Sequence, residues 1–533
     1  MDRAAPNQRV NDPRIVDDGP AQPAIVRGDG VTDTERYLAR LADRSFLNLW
    51  SYPNVFIDKR VGGRGDGKEL CDLLVVCGDH VLICSDKAVA WSDTGDVKLA
   101  WRRWYKRAVH KSVDQIRGAQ RWISQFPDRL FIDRACTTRL PISLPAADRM
   151  KVHGIVVDNG AAAACRNYFD GGSGSLMIAP AIKGEAHYAD DNVEPFAIGD
   201  VDPGGPFVHV FDETTLDVVL GELDTVLDLT RYLAKKKCLI RSGRLISAAG
   251  EEELVAQYMV RMNGQGEHDF TKPDGSACAD GEHVSYGSGF YAELTSNPQY
   301  IAKKAADEVS YAWDRLITLF TDNMLAGTTL VPQQQVADAA SQEIPVRHMA
   351  LLPRFLRRTY AQFLVDALKE GQKADKFMRF FLPGPGHPVT DIAFFVVTVK
   401  VPGIQLAGGY QQYRVVRQRI LEAYALTLLR KHPQLRGVIG IATEPQPPQG
   451  EKPGSSEDLI YAEQPDWSDQ CVRDLEQAKE RFGIDQPGNQ RAHAVSAREF
   501  PEVILGRAAS GNLTRRERRA REAERRRQQR KKR

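Results

Sequence analysis

The segment from Glu69 to Lys87 reads ELCDLLVVCGDHVLICSDK, and its alternation constrains the fold more tightly than any other stretch of the chain. Asp72 to Val76 and Val81 to Cys84 are β-rich runs, and Gly78 with Asp79 supplies turn chemistry between them, so the segment predicts a β-hairpin. Side chains alternate across a strand, which puts Ser85 and Lys87 on one face and turns Asp86 to the other. An acid near the start of the hairpin, Asp72, and a lysine at its end, Lys87, mark the place where chemistry is concentrated.

The chain has 533 residues, enough for about two to four domains with sizeable cores. Its longest clean apolar stretch, Ile392 to Val399, is far shorter than the ~20 residues of a membrane helix, and the polar N-terminus holds no apolar signal core. A cytoplasmic protein without a membrane partner is therefore expected. The eight cysteines contain no C-x-x-C pair and read as reduced thiols, and the eleven histidines show no metal spacing such as H-E-x-x-H. The net charge of +2 conceals a division. Residues 515–533 hold ten Arg, two Lys and three Glu, a balance of +9, which leaves −7 on residues 1–514. A basic tail of this kind, spanning 510–533, binds nucleic acid or another polyanion through counterion release, or serves as a solubilising appendage.

Residues 1–30 mix Pro, Gly, Asp and Arg without apolar period and predict a disordered arm. Thr32 or Asp33 then caps a helix with Tyr37, Leu38, Leu41, Phe46 and Leu47 on one side and Glu35 in its first turn. A strand over Val55–Lys59 and a glycine-rich loop lead into the hairpin. That loop lacks the G-x-x-x-x-G-K-[ST] phosphate signature. A helix over Trp101–Ile123 buries Tyr105, Val109, Val113, Ile116, Ala119 and Ile123, while Arg102, Arg103, Lys106, Arg107, Lys111, Arg117 and Arg121 stand against a single Asp114. With Trp101, Trp104 and Trp122 interleaved, this pattern fits a surface that meets phosphates and stacks on bases, and equally a solvated face with aromatic core anchors. Val152–Val157 is a further strand.

Later signals are weaker. Phe207–Val210 reads as a strand, Asp212 caps a helix carrying Leu216 to Leu233, and residues 263–296 read as a long loop. Helices are expected from Asn297-Pro298 and over about 353–369. Strand Ile392–Val401, helix Gln411–Arg430 and strand Gly437–Ala442 suggest a parallel βαβ unit, with a short strand at Asp458–Ala462. Asp391 and Lys400 repeat the theme of acid then lysine. The expected division is an arm (1–30), an N-terminal α/β domain (31–200), a mainly helical middle region (201–375), a C-terminal α/β domain (376–500) and the tail.

The order helix, strand, hairpin, basic helix, strand, with an acid in the second strand and a lysine closing the third, resembles the PD-(D/E)xK nuclease superfamily over about residues 32–158. The resemblance implies a restriction-endonuclease-like αβββαβ core and Mg²⁺-dependent phosphodiester hydrolysis of DNA or RNA. It makes Asp72 the principal metal ligand, Glu35 a second ligand, Lys87 the cation that orients water or phosphate, and Lys111, Gln115, Arg103 and Arg107 the substrate-facing helix residues. This sequence departs from the pattern in two places. Cys71 replaces the motif proline, and Ser85 occupies the second carboxylate position, so that Asp86 or Glu35 would have to supply the missing acid. The alternative is a non-catalytic descendant that binds nucleic acid, or a protein-interaction scaffold, in a bacterial defence or repair setting.

Overall fold

A computed structural model of the chain describes residues 24–59, 67–189, 192–277, 279, 281–327, 339–384, 387–400, 409–445, 457–484 and 497–501. Residues 1–23 of the expected arm, the loop glycines 62, 63 and 65, and the basic tail lie outside these.

Helix α1 (Asp33–Phe46) opens on a capping box in which Thr32 Oγ1 accepts from the Glu35 amide and the Glu35 carboxylate accepts from the Thr32 amide. Strands β1 (Ser51–Ile57), β2 (Lys68–Cys77) and β3 (His80–Ala88) follow as an antiparallel meander. The expected hairpin is β2–β3, and Gly78 at its turn takes φ 59°, a conformation glycine reaches without strain. Helix α2 (Val97–Tyr105), a π-helical turn (Lys106–His110) and α3 (Lys111–Gln125) then run on as one rod, longer than the helix expected over Trp101–Ile123. Next come β4 (Leu130–Phe131), β5 (Lys151–Asn159), α4 (Ala162–Tyr168), β6 (Met177–Lys183), β7 (Ala197–Asp200) and β8 (Val208–Asp212). The first sheet has the order β4-β1-β2-β3-β5-β8, with β3, β5 and β8 mutually parallel.

The stripe from Leu216 to Leu233 divides into α5 (Thr215–Glu222) and α6 (Val226–Arg241), because Thr225 Oγ1 caps a new helix by accepting from the Asp228 amide. Strand β9 (Leu245–Ala248) and α7 (Glu251–Val260) precede a region expected to be loop. It holds β10 (Val284–Tyr286) and α8 (Phe290–Ser296), and β10-β9-β6-β7 form a second sheet. Asn297 caps α9 (Pro298–Asp307), and α10 (Tyr311–Leu325), α11 (Ala339–Ala350) and α12 (Arg354–Gly371) complete the helical region. The third sheet, β11 (Lys376–Phe381), β12 (Ile392–Val399), β13 (Gly437–Thr443) and β14 (Asp458–Glu463), contains the expected parallel unit, with β12 and β13 joined through α13 (Gly409–Lys431); α14 (Asp469–Phe482) follows. The fold is thus mixed α/β.

Two apolar cores sandwich the first sheet. Leu74, Val76, Val81 and Ile83 pack on Val109, Val113 and Ile116 of the long rod. On the other face Leu73, Val75, Leu82 and Cys84 meet Leu38 and Leu41 of α1 in a cluster that continues through Trp313 and Tyr360 to Phe394 and Ile441 of the third sheet. No disulfide joins the seven described cysteines, and no helix among the described residues is long and apolar enough to cross a membrane.

Candidate active site

Alternation along the β2–β3 hairpin delivers its polar residues to opposite faces. Asp72 continues the row of Leu74 and Val76 that faces α3, and Ser85 and Lys87 continue the row of Val81 and Ile83 on the same face. Asp72 is almost fully buried, at 2% side-chain exposure, whereas Lys87 keeps 34%. The Asp72 Oδ2 atom accepts from the backbone amide of Asp86 at 2.6 Å and from Lys87 Nζ at 3.1 Å, and Ser85 Oγ lies 3.4 Å away. Gln115 on α3 closes the group. Its Oε1 accepts from Ser85 Oγ at 2.9 Å, and its Nε2 stands 3.5 Å from Asp72 Oδ1. Lys87 also donates to the Asp86 carbonyl at 3.1 Å, so its third N–H has no partner among the described residues. The site is a buried carboxylate fixed by one backbone donor and paired with a lysine that retains a donor toward solvent.

Asp86 points to the α1 side, where its Oδ1 accepts from Asn159 Nδ2 at 2.9 Å. Burial raises its pKa to about 6; the charges of Asp72 and Glu35 add to the rise, while Thr34 and Lys87 oppose it. Glu35 is engaged in its own helix cap, with Oε2 accepting from the amides of Val31 (2.8 Å) and Thr32 (3.4 Å) and from Asn54 Nδ2 (3.1 Å). Burial alone would lift the Glu35 pKa, but the bonds from Asn54, Val31 and Thr32 outweigh it and hold the group below its usual value. The structure therefore brings Asp72, Ser85, Lys87 and Gln115 together and leaves Asp86 and Glu35 on the opposite side of the sheet.

Sequence reasoning did not select Glu69. Asn54 Nδ2 donates to Glu69 Oε1 at 2.8 Å as well as to Glu35, so one amide holds two carboxylates. Burial raises the Glu69 pKa, and the charges of Asp72 and Glu35 push in the same direction against Asn54 and Lys87. Its placement comes from a β-bulge: Val55 pairs with Cys71 but Phe56 with Glu69, so Leu70 is an extra residue on β2. Asn54 itself takes φ 50°, which asparagine tolerates better than most residues. An asparagine inside the strand SYPNVFI is the only cue that the sequence offers.

Beside Lys87 in the β3–β5 register lies Asp158. It is completely buried, and neither carboxyl oxygen has a hydrogen-bond partner among the described residues. Its neighbour across β5–β8, Asp212, is instead satisfied by the amides of Leu176, Thr214 and Thr215.

Arg103, Lys106, Arg107, Lys111 and Arg121 are exposed along the rod, and Gln115 is the next step of four residues beyond Arg103, Arg107 and Lys111. The tryptophans correct the base-stacking expectation. Trp101 and Trp104 are buried and donate from Nε1 to the carbonyls of His187 (3.0 Å) and Val89 (2.9 Å), so they anchor the rod to the core. Trp122 is half-buried, with Arg129 5.3 Å and Lys59 5.4 Å from its ring. Arg117 is committed to Asp202. At the other acid–lysine pair, Asp391 is bound to Arg436 Nε at 2.9 Å and the Lys400 amide to the Asp375 carbonyl at 2.8 Å, a strand-end arrangement. Among the described residues no group of three or more His, Cys, Asp and Glu side chains is arranged to hold a metal ion. Comparison with protein-family models, curated proteins and solved structures found no match.

Proposed function

We propose that the chain acts on nucleic acid as a metal-dependent phosphodiesterase of the PD-(D/E)xK type. The observation that carries this reading is the meeting of Asp72 and Lys87, fifteen positions apart, at 3.1 Å at the end of a hairpin whose neighbours follow the order β1-β2-β3-β5 with α1 and α3 on opposite faces. The element order α1, β1, β2, β3, α3, β5 supports this reading.

The donor set offers Mg²⁺ a single carboxylate, Asp72, because Asp86 and Glu35 lie on the other side of the sheet. Asp72 Oδ1 has only a 3.5 Å contact with Gln115, and Gln115 Oε1 and Ser85 Oγ add neutral hard oxygens. One carboxylate with few protein ligands is a usual way to hold this ion, since substrate phosphate and waters complete its shell. When bound, Mg²⁺ supplies Lewis-acid stabilisation of charge on phosphorus and acidifies a ligated water. The Asp86 amide keeps Asp72 in one orientation, and the Lys87 N–H that has no partner among the described residues is available to a phosphate oxygen or an attacking water. Glu69, held by the same Asn54 amide as Glu35, lies within electrostatic range of Asp72 and Lys87 without touching either. Arg103, Arg107 and Lys111 grip the phosphate backbone along the rod.

The test is cleavage of single- and double-stranded DNA and RNA by purified protein with Mg²⁺ or Mn²⁺. Asp72→Asn and Lys87→Met should each lower the rate by at least about 100-fold. Absence of cleavage on every substrate, or full activity in both Asp72→Asn and Lys87→Met, removes the enzyme reading. The engagement of Ser85 with Gln115, where the family pattern has a carboxylate, favours a second reading: a non-catalytic relative that binds nucleic acid. In that case binding persists in both variants and falls steeply with salt.

A further inference from the structure

Residues 497–501 rest on the helical region through contacts far more specific than surface packing requires. Arg358 on α12 donates from Nη2 to the carbonyl of Arg498 at 2.6 Å and from both terminal nitrogens to the carbonyl of Glu499 at 3.1 Å. The Glu499 carboxylate receives His268 Nε2 at 2.8 Å and lies 3.6 Å from Lys303 Nζ on α9, and the same ammonium stands 5.9 Å from the centre of the Phe500 ring. Asp307 pairs with Lys303 at 2.8 Å and with Arg358 at 3.0 Å, holding the cradle open from beneath. Without Glu499, Lys303 and Arg358 would face Asp307 and the more distant Asp228, and the His268 imidazole would lose the carboxylate that raises its pKa against burial. The cradle therefore carries an excess of buried positive charge that a carboxylate neutralises. What it recognises is an acidic residue with an aromatic neighbour, read through one carboxylate, two backbone carbonyls and one ring.

We propose that the His268–Lys303–Arg358 cradle is a docking site for the chain's own Arg498–Glu499–Phe500 segment, and that docking there fixes the root of the basic tail so that tail and body engage one polyanion together. The consequence is one of reach. From Pro501 to Arg515 there are 14 residues, whereas from Ile484, the last described residue before the segment, there are 31. Fully extended, these lengths limit the tail to about 50 Å and about 110 Å from its anchor. Effective concentration falls roughly as the −3/2 power of tether length, so docking raises the local concentration of tail charge about threefold. The docking is independent of the proposed function, whereas joint engagement of a polyanion rests on the nucleic-acid reading of the body.

Limited trypsin digestion of the full-length chain tests the docking. The bond after Arg498, whose carbonyl is held by Arg358, should resist cleavage, and Glu499→Ala should speed its cleavage at least about tenfold. An excess of synthetic peptide covering residues 494–505 and carrying R498Q should expose the same bond in the wild-type chain, which keeps the test independent of how the variant folds. Heparin affinity tests the tether. Glu499→Ala should weaken binding about threefold, and should have a smaller effect in a full-length chain with Arg515, Arg516, Arg518, Arg519 and Arg521 changed to Gln, which lowers the tail from +9 to +4. Equal cleavage of wild type with and without peptide, protection that disappears on dilution, or heparin affinity that is indifferent to Glu499→Ala would each overturn the proposal.

Discussion

Asp158 and Lys87 are register partners on adjacent parallel strands, yet one reaches a carboxylate and retains a free donor while the other is sealed off without a hydrogen bond among the described residues. Burial, and then the charges of Asp212, Glu213 and Asp86, push the Asp158 pKa well above the usual carboxylate value. The folded chain therefore holds a proton that the unfolded chain releases, so this group's contribution to stability falls as pH rises above the unfolded value of about 3.9. Asp158→Asn should be more stable than wild type at pH 7.5 and gain much less at pH 4. Thermal unfolding at the two pH values measures this, and an equal gain at both would show that the proton is not the cause. At this scale the sequence was legible where strand period alone decides. Ser85 and Lys87 share a face and Asp86 does not. Glu69 was not legible, because its position depends on a left-handed asparagine in one strand and an extra residue in its neighbour, and neither changes the hydrophobic pattern.

The rod of α2, the π turn and α3 connects the exposed arginines to the site. In an unbroken α-helix the twelve residues from Arg103 to Gln115 would overshoot three full turns by about 120°. The π turn closes on i→i+5 and absorbs about one residue, which cuts the drift to about 20° and aligns Arg103, Arg107 and Lys111 with Gln115. Its trace is present in the sequence, since Tyr105, Val109 and Val113 are spaced four and four where an α-helix averages 3.6. Changing Arg103, Arg107 and Lys111 to Ala should reduce the slope of log affinity against log salt by about 2.7 for duplex DNA, or about 0.9 for each phosphate that is no longer neutralised. An unchanged slope would remove this stripe from the interface. The rod is seated on β5 at Gly154, where an added Cβ would lie 2.7 Å from Ile116 Cγ2. Gly154→Ala should thus cost about 1–3 kcal/mol in denaturant unfolding and displace Gln115 from Ser85.

Across the whole molecule, composition and periodicity identify elements but not the surfaces they cover. The expected boundaries at 200 and 375 follow changes in pattern, whereas one apolar cluster crosses both, and β8 joins the first sheet from beyond residue 200. Trp50 Nε1 donates to Glu343 at 2.8 Å across the same divide. An isolated fragment of residues 24–200 lacks β8 and the apolar cover of its α1 face, so it should show fluctuating tertiary structure and bind a hydrophobic dye. A cooperative unfolding transition in that fragment would show that the sheet is self-sufficient. The shared core also sets a schedule. Val75 must wait for Ile441, 366 residues later, before its cluster is complete. At ~5–20 residues per second this delay is about 20–70 s of synthesis. Throughout that interval the emerging chain carries an incompletely covered apolar core, which makes the ribosome-bound protein a natural client for chaperones that shield such surfaces.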